Sequence, residues 1–354
     1  MKHYKKYKYS GNEWIGNVPE EWEAWKLSHA FQLIGSGTTP EAGNPKYYED
    51  GEFFWLNTGD LNDGILHTCA KKVTRSALED YSALKIFPAG SLVIAMYGAT
   101  IGKTSIVTFE TTTNQACCVF CKGEIIDIKF LYYWFRAHKE HIINLAIGGG
   151  QPNISQAILK DLRIFCPPTS DQKHICDYLD RKTNEIDKLI SKKQKLIELL
   201  EEERSALINQ AVTKGIDPKA KMKPSGIEWL GDVPAHWEVK KLKYLCTLIN
   251  EKSSEQKEYL INLEKIESWT GRVISAGSPE DVSGDLSLFR AGDVLFNKLR
   301  PYLAKVVLAE KEGACGGELL VLRPASSMTS EFLFYRMISE MVIALVDGST
   351  YGTK

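Results

Sequence analysis

The chain has 354 residues, 44% of them hydrophobic and 25% charged, and its formal net charge at pH 7 is −1. This length predicts two or three domains of roughly 100 to 200 residues each, and the composition excludes an intrinsically disordered chain. The near-zero net charge counts against a strongly basic nucleic-acid-binding protein, so any such contact must come from local patches or from partner subunits.

The N-terminal ten residues carry four lysines without an apolar run behind them, which does not fit a signal peptide. No stretch reaches the roughly 18 apolar residues that a membrane span needs. The eight cysteines stand among apolar neighbours, which is typical of buried thiols in a reducing compartment. We therefore expect a cytoplasmic protein.

An internal repeat dominates the sequence. Residues 10–27 read SGNEWIGNVPEEWEAWKL and residues 225–242 read SGIEWLGDVPAHWEVKKL, at a constant offset. A weaker similarity continues at a slightly different offset, where Phe87 and Gly90 match Phe289 and Gly292. Two copies of one scaffold with different loops suit a protein that recognises two different targets.

Polar loops of the first copy are candidates for nucleic-acid contact. The loop 35–40 (GSGTTP) offers amides and small hydroxyls to a phosphate, although an ordinary turn has the same composition. Residues 47–60 mix aromatic and polar side chains, with Asn57 suited to an adenine edge, and residues 71–75 form a basic cluster. The candidates are Ser36, Thr38, Thr39, Tyr47, Asn57, Lys71, Lys72, Arg75 and Lys103.

Short β-rich runs alternate with glycine, proline and asparagine turns in both copies. They predict strands at 91–96, 105–109, 116–121 and 292–296, followed by helices at 128–147 and 331–346. Each copy is therefore predicted to be an α+β domain.

Several catalytic signatures are incomplete. The segment 98–104 (GATIGKT) has three residues between its glycines where a phosphate-binding P-loop has four. Cys118 and Cys121 form one C-x-x-C without a second pair, so they do not predict a zinc site. Cys166-Pro-Pro-Thr replaces the Asn- or Asp-Pro-Pro-aromatic loop of adenine methyltransferases. We expect no catalytic residue, no metal and no cofactor on this chain.

Residues 170–212 contain neither glycine nor proline, which predicts one long helix. Thr169 or Ser170 is the expected cap, with Gln172 completing a capping box. Alternate steps of four and three residues give a coiled-coil seam, which we expect to be a subunit interface, although a solvated linker helix is the alternative. Its apolar positions are Ile175, Leu179, Ile186, Leu189, Leu196, Leu200 and Leu207.

In the second copy, larger polar residues replace small residues of the first, such as Ala95 and Gly98. Two copies of one scaffold, of which only one carries basic side chains at these positions, are expected of a protein that recognises two different half-sites. Arg300 is the strongest candidate for a bidentate guanine contact, although charged loops are more often solvated surface. The candidates are Asn297, Lys298, Arg300 and Tyr302.

This arrangement resembles the specificity (S) subunits of type I restriction-modification systems. The resemblance covers nearly the whole chain and is carried by the WIGNVPEEWE and WLGDVPAHWE openings, the GSGTTP loop and the CPPTSDQ segment at 166–172. It implies an α+β fold with two target-recognition domains, related by an internal repeat and joined by a long coiled-coil helix. The expected boundaries are 1–168 for the first domain, 169–223 for the long helix and linker, and 224–354 for the second domain.

The resemblance implies a non-catalytic, sequence-specific DNA-binding subunit, each domain of which recognises one half of a bipartite site. Methyltransferase (M) subunits and a restriction (R) subunit are the implied partners besides double-stranded DNA, with S-adenosylmethionine, ATP and Mg on those subunits. A complete member has a second long helix after the second domain, and we expect this chain to lack it. A second S chain or S fragment is then an expected partner of the seam.

Two functions of other classes remain open. One is a nuclease with an unrecognised active site, for which Asp60 and Asp63 are candidate carboxylates. Metal-dependent cleavage by the purified chain would favour it. The other is a coiled-coil homodimeric protein-interaction module, which loss of DNA binding even with methyltransferase present would favour.

Overall fold

The computed structural model describes residues 4–146, 153–253, 259–275 and 286–349. The chain divides into two compact units, Met1–Leu189 and Ile190–Lys354. The boundary between the two units falls within the long helix. From the sequence, this helix and its linker are instead predicted to form a separate segment, 169–223. Within the described ranges, no helix combines the length and apolar character needed to cross a membrane.

The first unit consists of short strands and helices followed by the beginning of the long helix. Its strands are β1 (Tyr7–Tyr9), β2 (Asn17–Pro19), β3 (Glu23–Lys26), β4 (Phe31–Gly35), β5 (Phe53–Leu56), β6 (Ile65–Leu66), β7 (Lys72–Val73), β8 (Leu92–Ala95), β9 (Thr104–Val107), β10 (Thr111–Thr113), β11 (Cys117–Gly123) and β12 (Arg163–Cys166). Its helices are α1 (Leu27–Ala30), α2 (Pro45–Tyr48), α3 (Arg75–Asp80), α4 (Ile128–Ala137), α5 (Lys139–Asn144), α6 (Gln156–Asp161) and the long helix α7 (Thr169–Lys214), which continues into the second unit.

The main sheet of the first unit has the order β4-β11-β8-β9-β6. Strand β8 is buried on both faces: Leu92 and Ile94 pack with α4, whereas Val93 and Ala95 pack on the other side with Phe87. Burial on both faces explains the unbroken apolar run, since neither face meets water. The strands predicted in this region are confirmed to within two residues at each end.

A smaller sheet of the first unit has the order β10-β5-β7. Strand β5 pairs in parallel with β10 and antiparallel with β7. Two further pairs of strands are antiparallel, β1 with β2 and β3 with β12.

The second unit repeats this plan after the end of α7. Its strands are β13 (Met222–Pro224), β14 (Asp232–Pro234), β15 (Cys246–Ile249), β16 (Lys252–Ser253), β17 (Leu260–Ile261), β18 (Leu286–Phe289), β19 (Val294–Asn297), β20 (Val306–Leu308), β21 (Gly313–Cys315) and β22 (Leu319–Pro324), and its helices are α8 (Ser330–Ile338) and α9 (Glu340–Gly348).

The repeat seen in the sequence extends to the strand order. The order β15-β22-β19-β20 in the second unit matches β4-β11-β8-β9 in the first. Both openings form antiparallel hairpins, in which β13 pairs with β14 as β1 pairs with β2. Gly16 and Gly231 occupy the same turn with φ of +67° and +66°, a conformation that glycine adopts at little cost. The two copies therefore share a backbone arrangement.

The long helix predicted over 170–212 is confirmed as α7. The expected capping box is wrong, because Gln172 is almost fully buried and its side chain acts across the unit. Its amide nitrogen donates to the carbonyl oxygens of Ile125 and Pro167, and its oxygen accepts from the amide of Asp127. Gln172 therefore fixes the start of α7 against the loop before α4.

Both helices predicted after the strands are interrupted. Helix α4 ends at Ala137 and α5 begins at Lys139, and α8 ends at Ile338 before α9 begins at Glu340. At the second break Ser339 is extended, and its hydroxyl donates to the carbonyl oxygen of Arg336 at 2.7 Å. A serine that bonds its own backbone competes with the helix, which explains the break. Residue 147, the predicted end of the first helix, lies outside the described residues.

Candidate nucleic-acid interface

The basic cluster of the first unit lies at one edge of the smaller sheet. Lys72 is in β7, the edge strand, directly opposite Phe54 of β5. The Lys72 ammonium lies 4.9 Å from the ring centre of Phe54, and the Lys71 ammonium lies 5.8 Å from that of Trp55. The lysine side chains are exposed, so they cover aromatic rings while their charges remain in water.

Arg75 extends this basic edge into helix α3. Its guanidinium lies 5.4 Å from the ring centre of Phe53 and 3.6 Å from the Glu52 carboxylate, in an exposed ion pair. Phe53, Phe54 and Trp55 thus each support one cation. Sequence reasoning missed this support, although alternation of aromatic and basic residues on paired strands is a readable signal.

The loop 35–40 is packed against the end of β10. Gly37 is buried, its amide donates to the Thr113 hydroxyl at 3.0 Å, and a Cβ at this position would lie 1.7 Å from the Thr113 carbonyl oxygen. The carbonyl oxygen of Thr38 accepts from the indole of Trp55, and Thr39 donates to Gln115. The glycine therefore serves the close approach of two chain segments, and the Gly37 amide is not free for a phosphate. Ser36 and Thr38 are half-buried and Thr39 is exposed.

The amide of Asn57 is engaged inside the unit. Its nitrogen donates to the carbonyl oxygen of Trp55 at 3.2 Å, and its oxygen accepts from Asn114 at 3.1 Å. A bidentate contact with adenine needs both of these groups, so Asn57 would have to give up both bonds. Tyr47 is half-buried, and its hydroxyl donates to Asp80 at 3.1 Å.

Asp63 is part of an ion pair beside the start of β9. Its carboxylate accepts from the Thr104 amide at 2.9 Å and from the Lys139 ammonium at 3.0 Å. Burial works to raise the pKa of Asp63, but these two bonds outweigh it and hold the pKa below its ordinary value. Lys103, next to this pair, is half-buried. The segment 98–104 leads into strand β9, so it lacks the helix N-terminus of a P-loop.

In the second unit, a tight loop between β19 and β20 presents the candidate residues. Asn297 is buried, and its side chain donates to the carbonyl oxygen of Arg300 at 3.0 Å and accepts from the amide of Leu299 at 3.1 Å. Asn297 therefore shapes the loop from beneath. Lys298, Arg300 and Tyr302 are exposed, and sequence reasoning missed the exposed Leu299 among them.

The seam of α7 divides into two parts. Ile175 packs against the core of the first unit, and Leu179 is half-buried. The remaining apolar positions are 52% to 60% exposed, a large area of apolar side chain on one helix. Ile190 and Ile197, which the four-and-three stepping passed over, widen the stripe. The exposed seam residues are Ile186, Leu189, Leu196, Leu200 and Leu207.

The cysteines are buried within the cores. Cys118 and Cys121 of β11 face opposite sides of the main sheet and belong to different core clusters, so they do not converge on one metal ion. Burial raises the pKa of Cys118 to about 12, which makes it a thiol at neutral pH. Among the described residues, no group of three or more histidine, cysteine, aspartate or glutamate side chains is placed to hold a metal.

Residues 19–199 match the family model of the type I restriction modification DNA specificity domain. The chain is 24% identical over 339 residues to the MjaVIII specificity subunit of Methanocaldococcus jannaschii, covering 91% of this chain and 76% of that one. It is 25% identical to the EcoDI specificity subunit of Escherichia coli, covering 83% of this chain and 70% of that one.

A solved structure shows the same fold. The HsdS subunit of Thermoanaerobacter tengcongensis superimposes with a TM-score of 0.56 at 17% identity, over 94% of this chain and 83% of that one. At this level of identity the likeness concerns the fold alone.

Proposed function

Because the chain belongs to the type I restriction-modification DNA specificity family, we propose that its two units each recognise one part of a bipartite DNA site. The chain is a specificity subunit, which selects DNA sequence and leaves catalysis to partner subunits. The observation that carries the two-part reading is the shared strand order of the units, which present different exposed side chains.

The exposed cations divide into two kinds of contact. Lys71 and Lys72 lie at the edge of the smaller sheet and Arg75 lies at the start of α3, where together they suit the regularly spaced phosphates of a duplex. Lys298, Arg300 and Tyr302 lie exposed on the loop between β19 and β20, where they suit base edges in a groove, with Leu299 available for a thymine methyl group. Asn57 and Asn297 support these surfaces from within, through the bonds described above.

The remaining polar candidates belong to this proposal as phosphate or positioning contacts. Thr39 is exposed, and Ser36, Thr38, Tyr47 and Lys103 are half-buried. The proposed boundaries of the functional parts remain 1–168, 169–223 and 224–354.

The partners follow from the same proposal. Methyltransferase and restriction subunits, carrying S-adenosylmethionine, ATP and Mg, would act on DNA selected by this chain in the cytoplasm. The exposed seam of α7 would pack on an apolar helix, with a second S chain or S fragment as its source.

Methylation-site sequencing of bacterial DNA tests the function directly. The chain is co-expressed with its M subunit, and the control omits the chain. A gapped two-part adenine motif that appears only with the chain is the expected result. A motif that persists without the chain, or an ungapped single motif, would contradict the two-part reading.

A further inference from the structure

The second unit contains an open cavity of about 670 Å³ that lies beside its opening motif. Its lining includes Trp229, Trp237, Leu242, Leu333, Arg336 and Met337. The walls come from the opening motif, from the end of α7 and from α8, and most of them are apolar. A cavity of this kind needs a physical explanation, because protein interiors are normally close-packed.

The internal repeat identifies the residues of the first unit that are equivalent to those around the cavity. There, β3 pairs with β12 in the register Glu23 with Cys166 and Lys26 with Arg163. The equivalent residues 238–241 form no strand pair within the described ranges. Leu27, which follows β3, is fully buried, whereas its equivalent Leu242 is 41% exposed.

Helix α6 and strand β12 close the first unit at this place. Leu159, Ile164 and Cys166 are buried in the same core cluster as Leu27, and the Leu27 amide donates to the carbonyl oxygen of Leu162. Asp161 of α6 forms an ion pair with Lys26 at 2.7 Å. Lys26 has a lysine equivalent in the second unit, Lys241, which lines the cavity.

Whatever fills the cavity must also satisfy the charged side chain of Arg336. It occupies the position of Trp134 in the first unit, and its guanidinium lies 5.8 Å from the ring centre of Trp229. Its Nη1 atom is buried and has no hydrogen-bond acceptor among the described residues. Since buried donors are almost always paired, an acceptor is expected to arrive with whatever fills the cavity.

We propose that this cavity of the second unit binds a polypeptide segment composed of a short helix followed by a strand that pairs with residues 238–241. The segment carries leucine or isoleucine at positions equivalent to Leu159 and Ile164, and a carboxylate for Lys241 or Arg336. Strand addition satisfies the backbone of the unpaired edge, and the apolar pockets select the side chains. The proposal rests on the repeat and does not depend on DNA recognition.

The probe is a labelled peptide of residues 153–168, which is the segment that fills the first unit. Fluorescence anisotropy with the full chain is expected to show saturable binding, weakened at least about tenfold by Leu242→Asp, or about 1.4 kcal/mol. Leu248→Asp is the matched control, since Leu248 is 46% exposed and does not line the cavity. Circular dichroism verifies that both variants fold.

Cross-linking tests the register. Cys166 of the peptide should form a disulfide with a Glu238→Cys variant, because residues directly opposite on paired strands have neighbouring side chains. Val239→Cys, whose side chain belongs to the other face of the strand, should not cross-link. Absence of binding at about 1 mM peptide, or equal binding by Leu242→Asp, overturns the proposal. Loss of self-association in Leu242→Asp also overturns it, since a second copy would then be the occupant.

Discussion

Arg300 stands on a loop whose shape is set by the buried side chain of Asn297. Its guanidinium is exposed, whereas the residue at the same position of the first unit is Gly98. A fixed backbone beneath a free guanidinium favours base recognition, because little ordering is needed on binding. At the scale of single residues, this loop is therefore one place where the two units present different side chains.

Replacing Arg300 with alanine is expected to relax base preference at one position, in one half of the site only. A bidentate contact with guanine accounts for about 1–3 kcal/mol of discrimination. Binding to a panel of duplexes with single-base changes measures the effect. Lys72→Ala is the comparison: as a phosphate contact it should weaken all duplexes alike and reduce the salt slope by about 1. Uniform weakening by Arg300→Ala would make it a phosphate contact as well.

The Asp63–Lys139 ion pair predicts a dependence of stability on pH. The pKa of Asp63 is lowered in the folded chain, so its contribution is complete above the unfolded pKa and is lost as pH falls through the folded value. Lys139→Met should therefore lower the free energy of unfolding by up to about 1 kcal/mol at pH 7 and by progressively less in acid. Urea unfolding across pH measures this, with the exposed Lys85→Met as control. A loss that stays constant with pH would contradict the assignment.

At the scale of elements, the contact between the loop 35–40 and β10 is the tightest approach at any glycine that the structure describes in the first unit. Gly37→Ala places a methyl carbon 1.7 Å from the backbone oxygen of Thr113, and relief requires moving either the loop 35–40 or β10. We expect a loss of at least about 1–3 kcal/mol of stability. Gly59→Ala, where nothing lies within 4 Å of the added carbon, should change stability by about 0.5 kcal/mol or less. Denaturant unfolding of the two variants makes the comparison, and equal stabilities would contradict it.

The elements that were predicted correctly from the sequence are those that depend on residues close together along the chain. Strand β8 follows from an unbroken apolar run, and α7 follows from a long stretch without glycine or proline. Gln172, Gly37 and Asn57 were assigned other roles because each has a partner that lies 40 or more residues away along the chain. Residue type and spacing do not indicate which distant strand will lie beside a loop. Hydrogen bonds between a polar side chain and such a strand can therefore be identified only once the fold is known.

At the scale of the whole molecule, the two units have the same strand order but present different surfaces, and helix α7 contributes to both. Most of the apolar stripe of α7 is exposed. Leu196 and Leu200 are 53% and 52% exposed, and soluble chains rarely leave so many leucines and isoleucines of one helix in water. Polar residues within such a stripe fix register and do not hide its apolar surface.

Substitution of both Leu196 and Leu200 by lysine is therefore expected to abolish association through α7 while leaving the free energy of unfolding within about 0.5 kcal/mol of the original. The reason is that these side chains are half exposed within the single chain and become buried only against a partner helix. Sedimentation velocity of the chain alone and with its M subunit measures association. The matched control replaces Glu198 and Glu202 with glutamine, which changes the net charge by the same amount at positions away from the stripe. If the lysine variant assembles as the original chain does, the stripe is a solvated face of a linker helix and the interface lies elsewhere.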